Sequence, residues 1–195
     1  MNEGARATNR GQAYVGVDPS YTCTGLAVWK NGEIRLQMEV RATPVPGGSD
    51  GDRLRKIYAG LLALLRAERP VLVAIESYAT EAAYRPFAAG EVGGAVRLAC
   101  AVAEVPYVDV APSQLKLFAA GNGGAKKEHV RDAVVEITGT VPTSLDTSDA
   151  FALALIAEGC DLGRSTREKR CEAEVIRKIL KPNPKKPRSK KPFNM

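Results

Sequence analysis

The chain has 195 residues, 45% of them hydrophobic and 26% charged, with a net charge of +6. That length suits one well-packed domain with a tail and is too short for two large lobes. No stretch reaches the roughly 18 apolar residues of a membrane span, and residues 1–10 lack the apolar core of a secretory signal. The four cysteines (Cys23, Cys100, Cys160, Cys171) include no C-x-x-C pair, and His129 is the only histidine. Zinc is therefore poorly supported, and a reducing cytoplasm is the expected compartment.

The positive charge is concentrated at one end. Residues 163–195 hold 12 Lys/Arg against three Glu, a net of +9, which leaves −3 for residues 1–162. A mildly acidic core with a basic extension suits a polyanionic partner, with nucleic acid favoured over a tail that only aids solubility.

Residues 1–12 are polar and expected to be disordered. Strands are expected over 14–18, 24–29 and 33–40, with a turn at Pro19-Ser20 and a hairpin at Asn31-Gly32. After a Pro/Gly-rich loop, Ser49 or Asp50 can cap a helix carrying Leu54, Ile57, Leu61, Leu64 and Leu65 at helical spacing. Pro70 bars its continuation. A buried strand over 71–76 follows, then a flexible stretch over 77–90 with Tyr78, Tyr84, Arg85 and Phe87. The next helix, 91–104, is rich in small residues and is the candidate dimer contact. Beyond it come a strand over 107–110, a short helix from Pro112, a Gly-Asn-Gly-Gly loop at 121–124, and helices over 126–137 and 144–158. Residues 164–180 can form a charged helix, whereas 181–195, with four prolines and six basic residues, should not fold alone. The expected partition is a disordered 1–12, a domain over 13–162, a basic helix over 163–180 and a disordered basic tail over 181–195.

Three meandering strands followed by helix, strand, helix and strand make a mixed α/β sheet, whose chemistry belongs at the carboxyl ends of its parallel strands. Asp18 and Glu76 end apolar runs there, and Asp146 and Asp149, spaced i, i+3, share a helix face. Each has an ordinary explanation: Asp-Pro starts turns, and Asp146 could be a helix cap. A buried-edge glutamate, however, requires a partner, and Asp149 interrupts an apolar stripe with Leu153 and Ile156. Four converging carboxylates repel one another unless hard divalent cations neutralise them. A metal-dependent phosphate-ester enzyme is the leading expectation.

The ordered set Gly16-Val-Asp-Pro-Ser, Thr24-Gly-Leu-Ala-Val, Ala74-Ile-Glu and Asp146-Thr-Ser-Asp-Ala-Phe-Ala-Leu-Ala resembles the RuvC family of Holliday-junction resolvases, over about residues 14–157. The resemblance implies an RNase H-like five-stranded sheet, with three antiparallel meander strands and two parallel ones, flanked by helices. It further implies that Asp18, Glu76, Asp146 and Asp149 bind two Mg²⁺ or Mn²⁺ ions about 3.5–4 Å apart. Lys116 and Lys127 match the family's two active-site lysines, and Lys126-Lys127 its basic loop. The implied activity is that of a homodimeric crossover junction endonuclease cutting four-way or branched DNA to 5′-phosphate and 3′-hydroxyl ends. Family members often carry an aromatic residue shortly after the strand-end glutamate; here that loop offers Tyr78, with Tyr84 and Phe87 further along, and Arg85 as a further DNA contact. Lys185, Lys186, Arg188, Lys190 and Lys191 in the tail are expected to meet phosphates. The long tail suggests a divergent, phage-encoded member acting in a bacterial or phage-infected cytoplasm. His129 is expected on a helix surface without a role.

Two other readings compete. A catalytically inactive branched-DNA binder would shield junctions without cutting, although an acidic quartet only costs stability if no metal arrives. Val17-Asp-Pro-Ser-Tyr-Thr-Cys-Thr-Gly also looks like the first phosphate loop of actin-like phosphotransferases, but those need two lobes and a second loop.

Overall fold

The apolar runs near the start of the chain become three antiparallel strands, β1 (Ala13–Asp18), β2 (Cys23–Lys30) and β3 (Glu33–Arg41). The turn joining β2 to β3 places Asn31 and Gly32 at φ of 56° and 82°, the left-handed pair that fits the twist of a two-residue hairpin. The computed structural model describes residues 11–42, 49–77, 86–167 and 169–181. Tyr78 and Arg85, and the tail cations Lys185, Lys186, Arg188, Lys190 and Lys191, lie outside the described residues.

Ser49 caps α1 (Asp50–Glu68): its side chain accepts from the Asp52 N–H, and the Asp52 carboxylate accepts from the Ser49 N–H. Arg69 turns left-handed ahead of Pro70 and ends the helix. The chain then enters β4 (Leu72–Glu76), parallel to β1, and β5 (Tyr107–Val110), parallel to β4, giving the order β3-β2-β1-β4-β5. The helices α2 (Pro86–Val102), α3 (Pro112–Ala120), α4 (Lys127–Thr138), α5 (Leu145–Leu162) and α6 (Arg170–Leu180) complete the fold.

Strand alternation splits the core in two. Val15, Val17, Val73 and Ile75 face α1 and α2, where Ile57, Leu61, Leu65, Val92 and Val96 meet them. Tyr14 and Ala74 face the other way, onto α5. Asp18 and Glu76 share the parity of Tyr14 and Ala74, so they emerge on the α5 side. Helix α5 is buried on nearly every face, because it lies between the sheet and α3, α4 and α6. It approaches the strands closely at two glycines. A Cβ on Gly16 would stand 1.9 Å from the Ala150 carbonyl oxygen, and one on Gly25 would stand 2.4 Å from that of Asp146.

Two elements differ from their sequence expectation. The helix expected over 91–104 begins five residues earlier, at Pro86, because proline at a first helical position sacrifices no internal hydrogen bond. The charged helix expected over 164–180 is shorter, Arg170–Leu180, and buries Val175 and Ile176 in the α5-side core.

Candidate active site

Parallel pairing sets the first two carboxylates side by side. Val17 is in register with Ile75, so the next residues along, Asp18 and Glu76, leave adjacent strands together. Helix α5 delivers the other two. Ser144 caps it, accepting from the Thr147 N–H at 3.1 Å, so Asp146 falls in the first turn and is not the cap. A carboxylate there is also favoured by the helix dipole. Gly25 links the two halves: it is opposite Asp18 across β1 and β2, and its α-carbon abuts the Asp146 carbonyl. Without a side chain at Gly25, the start of α5 settles against the strand end that carries Asp18.

Lys127, at the first turn of α4, closes the group. Its Nζ lies 3.2 Å from Asp149 Oδ2 and 3.4 Å from Asp146 Oδ1. A cation at a helix start opposes the dipole, and these two carboxylates offset that cost. Lys116 on α3 is half-buried and also stabilises the ionised forms of Glu76 and Asp149, more weakly than Lys127 does. Lys126 is exposed at the N-cap of α4 and makes no ion pair among the described residues, and His129 is exposed as expected.

The electrostatics are those of uncompensated acids. Burial first, then Glu76, then Asp149 push the Asp18 carboxyl well above the ordinary range. Burial also raises Glu76, although a hydrogen bond with Asp18 pulls it part of the way back. Ionising Asp18 and Glu76 side by side is therefore costly without added positive charge. Asp149 is raised by burial too, against the pull of Lys127. Burial disfavours the Lys127 ammonium, but Asp149, Asp18 and Asp146 together raise it above the ordinary lysine range. It remains charged.

Among the described residues, no three acid, thiol or imidazole groups stand at coordinating spacing as the side chains lie. The Lys127 ammonium, 3.2 Å from Asp149 and 3.4 Å from Asp146, offsets part of their charge. The donor set nevertheless fits hard divalent cations. It is all carboxylate oxygen, it is partly buried, and burial there disfavours the ionised forms of Asp18, Glu76 and Asp149, a cost that bound positive charge would offset.

A further acid was missed by sequence reasoning. Glu39 on β3 pairs with Gly25, so it extends the row begun by Glu76 and Asp18 across the sheet. The Ser144 hydroxyl hydrogen-bonds to it and holds its carboxyl below the usual range, tying β3 to the start of α5. Its strand alternation was legible, but only the register reveals its neighbour.

A mixed sheet in the order β3-β2-β1-β4-β5, with acids at the carboxyl ends of its central parallel strands and on a helix laid against them, is the arrangement of an RNase H-like α/β enzyme. The family model for "Crossover junction endodeoxyribonuclease RuvC" matches residues 14–157. A RuvC of Nitratidesulfovibrio vulgaris (Hildenborough) is 33% identical over 144 residues, covering 72% of this chain and 87% of that protein. One from Synechococcus sp. (CC9902) is 34% identical over 145 residues, covering 72% and 94%. The solved RuvC of Thermus thermophilus superposes with a TM-score of 0.64 at 30% identity, over 73% of this chain and 91% of that one. The same protein solved in complex with Holliday junction substrate gives 0.64 and 30%, over 73% and 90%. The chain belongs to the RuvC family of crossover junction endodeoxyribonucleases.

Proposed function

We propose that the chain resolves four-way DNA junctions as a homodimer, using Asp18, Glu76, Asp146 and Asp149 to hold two Mg²⁺ ions, with Mn²⁺ as a substitute. The observation that carries this reading is the convergence of Asp18 and Glu76, at the ends of adjacent parallel strands, with Asp146 and Asp149 on α5, around Lys127. Bound divalent cations supply an activated water and stabilise the departing 3′ oxygen, leaving 5′-phosphate and 3′-hydroxyl ends.

The chain's own groups perform the rest. Asp18 and Glu76 must both be ionised to act as ligands, against the burial that disfavours their charged forms. Lys127 must loosen its hold on Asp146 and Asp149. Its ammonium, still protonated, is then free to support charge on the scissile phosphate, with Lys116 as the second cation. Lys126, Tyr78, Arg85 and the tail cations Lys185, Lys186, Arg188, Lys190 and Lys191 hold the DNA around the cut. The two-fold symmetry of a four-way junction suits two identical sites. The outer face of α2 exposes Phe87, Leu98 and Val102 and fits a second copy of the chain. All four cysteines are free thiols, in keeping with the bacterial or phage-infected cytoplasm proposed as the site of action.

The test is a labelled four-way junction incubated with the protein and Mg²⁺, beside Asp18→Asn and Asp149→Asn. Paired symmetric nicks made by the native chain and lost in both variants support the reading. Metal-independent shielding without nicks would favour the inactive binder, and ATP turnover the phosphotransferase.

A further inference from the structure

The family match ends at residue 157, so α6 and the segment leading to it belong to this chain beyond the shared core. That addition is firmly seated. Val175 and Ile176 are buried, and Ile176 fills the space above Gly159 of α5, where a Cβ would stand 2.4 Å from its Cδ1. Glu172 is fully buried and accepts from Ser165 Oγ at 2.5 Å and Arg167 Nε at 2.9 Å. The Arg167 guanidinium in turn lies 5.0 Å from the ring centre of Phe118 on α3.

The opposite face of α6 is different in kind. Arg170, Arg177 and Lys181 recur at i, i+7 and i+11, so they form one stripe turned away from Val175 and Ile176. All three are exposed and none lies within ion-pair distance of an acid among the described residues. Glu174 shares this face, but it pairs with Lys178 at 2.6 Å and draws more weakly on Arg177 and Arg170. Arg164 and Lys169 extend the same charge at the approach to the helix. The cations thus outnumber the one acid on this face, the balance that suits a phosphate backbone.

We propose that the outer face of α6 is a rigid cradle for the sugar–phosphate backbone of a junction arm, distinct from the site that cuts. The proposal rests on the junction-cleaving reading above for the identity of its partner. The seat of α6 lies toward the far end of α5 from the acids: Gly159, which Ile176 covers, is ten residues along that helix from Asp149, about 15 Å at about 1.5 Å per residue. The cradle grips an arm through charge and without reading bases.

The test measures junction affinity against salt in EDTA for the full chain and for the triple variant Arg170→Gln, Arg177→Gln, Lys181→Gln. A matching variant on α1, across the sheet, carries Arg55→Gln, Lys56→Gln and Arg66→Gln. The α6 variant is expected to flatten the slope of log affinity on log salt by about 0.9 for each phosphate that is no longer neutralised. The α1 variant is expected to keep the native slope. Uncharged methylphosphonate linkages placed in turn along the junction arms should flatten the native slope at the gripped phosphates, and add nothing there to the α6 variant. An unchanged slope for the α6 variant, or equal flattening by both variants, overturns the cradle. In a parallel Mg²⁺ reaction, native protein that neither binds nor cuts the junction overturns the junction-cleaving reading itself, so the two failures remain distinct.

Discussion

Replacing Gly25 with alanine tests how the site is assembled, because this residue touches no substrate and carries no charge. The new Cβ would stand 2.4 Å from the Asp146 carbonyl oxygen, 2.6 Å from its carbon and 3.1 Å from the Thr147 nitrogen. Ordinary van der Waals spacing begins at 3.4 Å, so the first turn of α5 must retreat by about 1 Å, taking Asp146 and then Asp149 with it. Crowding of this kind costs about 1–3 kcal/mol of stability. For a chain of this size each kcal/mol corresponds to about 2–4 °C in Tm. The effect on catalysis should be larger in proportion, since a misplacement of about 1 Å in a reacting group costs on the order of 10²-fold in rate. Single-turnover cleavage of a labelled four-way junction in Mg²⁺ measures this directly, with melting curves alongside. Gly51→Ala on α1 is the control, since its Cβ would meet nothing closer than 3.5 Å. Native cleavage and an unshifted Tm in Gly25→Ala would refute the claim that this close approach sets the spacing of the four acids.

Lys127→Gln should lower cleavage by about 10²–10³-fold, the scale for loss of one preorganised donor to a developing charge, with folding monitored by circular dichroism. Asp18, Glu76 and Asp149 have folded-state values raised above those of the unfolded chain, so the folded state binds their protons more tightly. Stability of the metal-free protein therefore falls as pH rises from the unfolded carboxylate range through the raised values. Asp18→Asn, melted in EDTA, should gain on the native chain as pH rises above the ordinary aspartate range. The same linkage requires Mg²⁺ binding to release protons, seen in calorimetry as a binding enthalpy that depends on the ionisation heat of the buffer. Glu172→Ala leaves the Arg167 guanidinium without its buried partner, and the loss should lie near the low end of about 3–5 kcal/mol, because Arg167 is partly exposed. Chemical denaturation gives that value.

Much of the fold could be read from the chain. Apolar runs ending in Asp18 and Glu76 marked two buried strands, Asn31-Gly32 a hairpin, and Ser49 and Ser144 helix starts, because each is a local signal with a local cause. Other helix starts were harder to read. The start of α2 falls within the stretch 77–90 expected to be flexible, yet the helix is secured by Val92, Val96 and Ala99 in the α1-side core. The seating of α6 was hidden for a similar reason: its charged residues dominate the composition, and the burial of Glu172 depends on Arg167 and Ser165 meeting it in space. At the site, the four acids could be picked out by position, but Gly16, Gly25 and Glu39 could not. Their contribution comes from strand register, and from a helix approach that brings Gly16 and Gly25 against residues more than 100 positions away.

The most direct test of the central claim is Mn²⁺ binding in crystals, read by anomalous scattering. Two manganese peaks among Asp18, Glu76, Asp146 and Asp149, with Lys127 swung away from Asp146 and Asp149, are the predicted result. Crystals soaked in Mn²⁺ that show Lys127 still bridging those aspartates and no metal between the four acids would contradict it.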